Sequence, residues 1–132
     1  MNLDTVIEQN FVQLSTEISI KQLLEEGVCK TSRYLFPVVN EEGALEGVIL
    51  LDDIRSVLFD QSLYNTTKAR DYMTRPPEVI IYSKDSMQQV MQRFQDSGAW
   101  NLPVIREDKY YGFVSKSKLL TAYRRELINY SV

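Results

Sequence analysis

One unit occurs twice in this chain, and no other feature restricts the fold as much. Ser19-Ile20-Lys21-Gln22-Leu23-Leu24 aligns with Ser86-Met87-Gln88-Gln89-Val90-Met91, Phe36-Pro37-Val38-Val39 with Leu102-Pro103-Val104-Ile105, and Gly47-Val48-Ile49 with Gly112-Phe113-Val114. The offset shrinks along the chain, from 67 residues (Ser19 to Ser86) to 66 (Phe36 to Leu102) to 65 (Gly47 to Gly112), as small loop deletions in the second copy require. A unit used twice must supply the same elements twice and pack each copy on its own apolar faces.

Each copy opens on a short apolar strand, Phe11 to Leu14 and Val79 to Tyr82. A helix follows. Ser19 and Ser86 are N-cap residues with Gln22 and Gln89 three positions on, the pattern in which side chain and backbone satisfy each other's free groups. Behind these caps, Ile20, Leu23 and Leu24 share one helix face, as do Met87, Val90, Met91 and Phe94. The methionines sit where the first copy has Ile20 and Leu24, so they read as core. Gly27 and Gly98 stand near the helix ends, where left-handed caps belong. Two strands come next, Phe36–Val39 with Leu45–Leu50 and Leu102–Ile105 with Tyr110–Ser115, separated by turn residues. Pro37 and Pro103 remove a ladder donor, so each strand is expected to begin there or to lie at an edge. A second helix closes each copy, Asp52–Phe59 and Lys116–Leu127. The expected division is residues 1–60 for the first copy, 61–77 for a linker around Asn65-Thr66-Thr67 and Pro76-Pro77, and 78–132 for the second.

Composition removes most chemistry. The 132 residues contain no His, which excludes Ser-His-Asp and Cys-His catalysis and any His-based zinc site. Cys29 is the one cysteine, so an internal disulfide is excluded, and it reads as a small, partly buried hydrophobe. Asp52 and Asp53 are adjacent, point apart on a helix and form no acid–base pair. No nucleophile–base pair is evident, and the chain is expected not to be an enzyme. With 15 Lys and Arg against 18 Asp and Glu the net charge is −3, which gives no footprint for nucleic acid. No apolar run approaches the ~20 residues needed to span a bilayer. Met1–Val12 carries Asp4 and Glu8 and lacks the basic and apolar regions of a signal peptide. The chain therefore reads as a soluble domain.

A strand–helix–strand–strand–helix unit used twice, with a Pro-containing strand and a Gly-led apolar strand before the last helix, resembles a pair of CBS domains. Asp71-Tyr72-Met73-Thr74-Arg75-Pro76 resembles the lead-in segment of a CBS repeat. Ala99-Trp100-Asn101-Leu102-Pro103-Val104 and Gly112-Phe113-Val114-Ser115-Lys116-Ser117-Lys118, with Tyr123-Arg124, resemble the cytoplasmic tail of bacterial CLC-type chloride channels and transporters. Phe36-Pro37-Val38-Val39 and the run from Gly47 to Arg55 are similar to that tail as well. The resemblance implies an α/β (α+β) fold of tandem repeats packed with pseudo-two-fold symmetry. It also implies a homodimer and a regulatory role, without catalysis or a required cofactor. The implied partner is the membrane domain of a parent channel, at the cytoplasmic side of the inner membrane, and the implied ligand is ATP, ADP or AMP. The alternative is a free-standing pair that binds an adenosyl ligand and regulates a partner enzyme.

Nucleotide-binding CBS repeats commonly carry Gly, then Ser or Thr three residues on, then Asp three further on. The hydroxyl caps the helix and touches phosphate, and the Asp accepts from ribose hydroxyls. This chain splits the pattern. The first copy has Gly47 and Asp53, with Leu50 at the hydroxyl position; the second has Gly112 and Ser115, with Lys118 at the acidic position. By the same resemblance, one cleft joins Asp53 to Ile80, Trp100 and Asn101, and the other joins Ser115 and Lys118 to Arg33 and Tyr34. Each residue also has a plainer reading. Asp53 offsets a helix dipole, Ser115 is an N-cap, Lys118 is a solvated cation, and Trp100 fills the seam between the repeats. Ile54, Val57 and Leu58, with Leu119, Leu120 and Tyr123, form apolar helix faces that serve either core or dimer surface.

Overall fold

The structure, a computed structural model, describes residues 2–130. In chain order its main elements are β1 (Ile7–Glu8), β2 (Leu14–Ser15), α1 (Ile20–Gln22), β3 (Leu35–Val39), β4 (Leu45–Leu50), α2 (Leu51–Leu58), β5 (Ile80–Ile81), α3 (Met87–Ser97), β6 (Asn101–Arg106), β7 (Lys109–Ser115) and α4 (Lys116–Tyr130). They divide into two units. One is Phe11–Arg75; the other combines the chain up to Asn10 with the chain from Pro76 onward.

In the Phe11–Arg75 unit the sheet order is β2-β3-β4, with β2 parallel and β4 antiparallel to β3. In the other unit the order is β1-β7-β6-β5, with β5 parallel to β6 and both remaining pairs antiparallel. Leu14, Ile20, Leu23, Phe36, Val38, Ile49 and Ile54 fill the first core. Val6, Ile80, Val90, Phe94, Leu102, Val104, Val114 and Leu119 fill the second. Most of these positions match across the repeat, so the same alternation of apolar residues builds both sheets.

Both capping boxes form. The Ser19 N–H donates to Gln22 Oε1 at 3.0 Å and the Gln22 N–H to Ser19 Oγ at 3.1 Å. The Ser86 and Gln89 bonds are 2.7 and 3.2 Å. The two helices then diverge. α3 runs to Ser97 and ends on Gly98 at φ +67°, the left-handed cap expected. α1 gives way after Gln22 to a widened turn over Leu23–Gly27, in which the Val28 N–H reaches the Leu23 carbonyl five residues back. Gly27, at φ −108°, is not a left-handed cap. Its lack of a side chain serves packing instead: a Cβ there would lie 3.2 Å from Leu23 Cδ1 and 3.4 Å from Phe36 Cε1. Pro37 and Pro103 lie inside strands paired on both sides, not at edges. They are tolerated because β2 and β5 pair only with Val38–Val39 and Val104–Ile105, one step beyond each proline.

The division differs from residues 1–60, 61–77 and 78–132. Ile7 pairs with Val114 and Glu8 with Phe113, so the N-terminal segment joins the sheet of the second copy. Val48 and Thr74 exchange two backbone bonds of 2.9 Å, and Ala69 is buried, so the stretch expected as a linker completes the first. Glycine makes both crossings feasible. A Cβ on Gly112 would lie 2.6 Å from the Glu8 carbonyl oxygen, and one on Gly47 would lie 2.9 Å from Met73 Sδ and 3.1 Å from the Thr74 carbonyl oxygen.

Candidate functional site

The residues singled out by the split motif collect at two equivalent places, the starts of α2 and α4. In each unit the chain entering the middle strand is tied to the helix start by one backbone bond. The Leu51 N–H donates to the Tyr34 carbonyl at 2.8 Å, and the Lys116 N–H donates to the Trp100 carbonyl at 2.8 Å. Each tie holds an exposed aromatic beside the helix start; Tyr34 is 66% and Trp100 73% exposed.

The side chains differ in charge. At the start of α2, Leu50 occupies the N-cap without a side-chain bond. Asp52 pairs with Arg55 at 3.0 Å. Asp53 is exposed and has no bonded partner among the described residues, so both carboxylate oxygens are open to a donor. Arg33 is half-buried with its guanidinium 4.4 Å from the Phe11 ring centre. This end suits a neutral donor such as a hydroxyl and repels anions. At the start of α4, Ser115 Oγ accepts the Lys118 N–H at 3.2 Å, so Ser115 is an N-cap. The Lys116 ammonium lies 5.3 Å from the Trp100 ring centre, and the Lys118 ammonium lies 3.7 Å from Glu8 Oε1. Two ammonium groups and the positive end of a 15-residue helix suit an anion.

Several expected site residues fall elsewhere. Ile80 is fully buried in its own unit's core, where it pairs with Val104, so its side chain presents nothing to a ligand. Asn101 is exposed and pairs with Ser115 across β6 and β7, which places it at the α4 end. Ile54, Leu58 and Leu119 are buried in the cores and supply no dimer surface. Val57 packs against the first core. Leu120 and Tyr123 stay exposed on α4, together with Leu127 and Ile128. Cys29 is exposed rather than partly buried.

A charged cluster beside α3 has no motif in the sequence to mark it. Asp85 accepts from Arg93 Nε at 2.8 Å, from a second Arg93 nitrogen at 3.1 Å and from the Ile81 N–H at 2.8 Å. Burial opposes its ionisation, but these donors outweigh burial and hold the carboxyl below the usual carboxylate value. This arrangement fixes the turn between β5 and α3. No group of His, Cys, Asp and Glu able to hold a metal occurs among the described residues. None of the described helices is long and apolar enough to cross a membrane.

The CBS domain family model matches residues 5–60 and again 69–125. No curated protein matches the chain. Among solved structures, CbpB in complex with c-di-AMP is similar at TM-score 0.75 and 17% identity, over 99% of this chain and 89% of that one. CBSX2 in complex with AMP is similar at 0.68 and 23%, over 91% and 92%. The cytosolic domain of the Mg2+ channel MgtE in complex with ATP is similar at 0.69 and 20%, over 89% of this chain but only 46% of that one. At these identities the likeness establishes a shared fold.

Proposed function

Because this chain belongs to the CBS domain family, with the domain present twice, we propose that it is a regulatory pair that binds an adenine nucleotide and changes the behaviour of an attached or associated protein. The observation that carries this reading is the asymmetry of the two helix starts. Asp53 is an exposed, unengaged acceptor suited to ribose hydroxyls, whereas Ser115, Lys116 and Lys118 surround an anion-favouring helix end suited to phosphate. Adenine compounds in three similarly folded proteins support the ligand class. A module of this kind makes no bonds. It acts only as far as the ligand binds one conformation of the whole better than another.

The proposed parent is a CLC-type chloride channel or chloride/proton transporter, for which the Trp100–Val104 and Gly112–Lys118 segments argue. The ATP-bound cytosolic domain of a Mg2+ channel shows that this fold is used beneath a membrane protein elsewhere. A free-standing pair acting on a partner enzyme is the second reading, and the similar solved structures support it equally. Apolar segments of ~20 residues encoded upstream of Met1 would decide for the first. We further propose a homodimer formed through the exposed α4 face, Leu120 and Tyr123 with Leu127 and Ile128.

The test is calorimetric titration with ATP, ADP, AMP and adenosine on the wild type and Asp53→Asn. Saturable binding, weakened about tenfold or more in Asp53→Asn, is expected. Loss of one hydrogen bond to a charged acceptor costs about 1.5–3 kcal/mol, and each 1.4 kcal/mol is tenfold. No binding of any of the four at millimolar concentration overturns the ligand reading.

A further inference from the structure

The N-terminal segment lies against the same helix start that the nucleotide reading assigns to phosphate. Leu3 and Ile7 pack on the second core and Val6 is buried in it. Tyr82 donates its hydroxyl to Asp4 Oδ2 at 3.1 Å, Gln9 donates to the Tyr111 carbonyl at 3.3 Å, and Ile7 and Glu8 pair with Val114 and Phe113. The ammonium of Lys118, in the first turn of α4, sits 3.7 Å from the Glu8 carboxylate. The other copy has no such charge pair: Asp53 stands where Lys118 does, and Thr74, opposite Val48, stands where Glu8 does.

We propose that the N-terminal segment is a strap clipped to β7 by Lys118 and Glu8, and that an anionic ligand group at the start of α4 loosens its Ile7–Gln9 end. This rests on the nucleotide reading above. A phosphate beside Lys118 brings about two negative charges next to the Glu8 carboxylate and competes for the same ammonium. Val6 stays anchored by burial, while β1, a two-residue strand beyond it, depends on local bonds. The strap connects directly to Phe11 and the other unit, so ligand at α4 is converted into slack in the chain leading there.

Hydrogen–deuterium exchange on the full chain tests this, with calorimetry on the same samples and ATP as the probe. Saturating ATP should speed exchange of the Ile7–Gln9 amides about two- to fivefold, the range expected for one partly exposed ion pair. Lys118→Gln should show the faster exchange without ATP. Glu8→Gln should bind ATP yet show no ATP-dependent change at these amides, because the repelled charge is gone. ATP binding with unchanged exchange in the wild type overturns the strap and leaves the nucleotide reading standing. Lys118→Gln indistinguishable from wild type without ATP also overturns it. Absence of ATP binding in the calorimeter overturns the nucleotide reading itself, and the coupling with it.

Discussion

Replacing Gly112 by alanine should push β1 off the sheet. The new methyl carbon would lie 2.6 Å from the Glu8 carbonyl oxygen, 2.9 Å from Ile7 Cγ2 and 3.3 Å from Gln9 Cγ. Two of these are contacts that real side chains do not make, and the shortest is to backbone, which cannot rotate away. Forcing a methyl into such a site costs about 1–3 kcal/mol, and weakening the β1 ladder adds about 1 kcal/mol. A loss of roughly 2–4 kcal/mol, from a total of about 5–15, lowers Tm by roughly 6–12 °C at this chain length. Gly47→Ala supplies the internal comparison. Its shortest contact, 2.9 Å, is to the flexible Met73 sulfur, and its backbone contact is longer, at 3.1 Å. That variant should lose only about 1 kcal/mol. Urea titrations followed by circular dichroism give both values. If Gly112→Ala costs under about 0.5 kcal/mol, or no more than Gly47→Ala, the reasoning from close approach is wrong.

Other expectations are as direct. The carboxyl of Asp85 has a folded pKa below its unfolded value, so it contributes stability that is present above the unfolded carboxylate range and lost as pH falls through the folded value. Asp85→Asn should therefore be less stable than wild type at pH 7 by about 1.5–3 kcal/mol, with the gap closing below about pH 4. Denaturation series at several pH values would show it, and a gap unchanged down to pH 2 would refute it. Trp100→Ala should leave stability within about 0.5 kcal/mol of wild type, since the ring is 73% exposed; a loss above 2 kcal/mol would mean that the ring fills a seam after all. Leu120→Glu combined with Tyr123→Ser should shift sedimentation from dimer to monomer without unfolding the chain. An unchanged dimer places the interface elsewhere.

Local patterns carried most of the fold. Ser19 and Ser86 cap helices because their bonding partners lie three residues away, and strands β3, β4, β6 and β7 follow from apolar runs around short turns. Distance in the chain hid the rest. β1 has two strand residues, too few for any periodicity, and its partner Val114 lies at the other end of the sequence. α1 widens after Gln22 into the turn over Leu23–Gly27, where Leu14, Leu23 and Phe36 crowd Gly27, and the helical spacing of Ile20, Leu23 and Leu24 carries no mark of it. At the candidate site, the resemblance identified Asp53, Ser115 and Lys118 but not their state. The open carboxylate of Asp53 and the Lys118–Glu8 contact depend on what the neighbours do, as does the burial of Ile54, Leu58, Ile80 and Leu119. An apolar helix face reads the same whether it meets its own sheet or another molecule.

The pairing of β1 with β7 also orders events during synthesis. The Phe11–Arg75 unit has all of its strands in one continuous stretch and can close once that stretch has emerged. The other unit cannot. Val6 and Ile7 are made before the Phe11–Arg75 unit, yet their strand partner is completed only when Ser115 has left the ribosome, at about 5–20 residues per second. For several seconds the nascent chain carries an unpaired apolar lead ahead of a finished neighbour. The slow step in refolding should accordingly be the return of this lead to β7, a closure of high sequence separation that comes after local structure has formed.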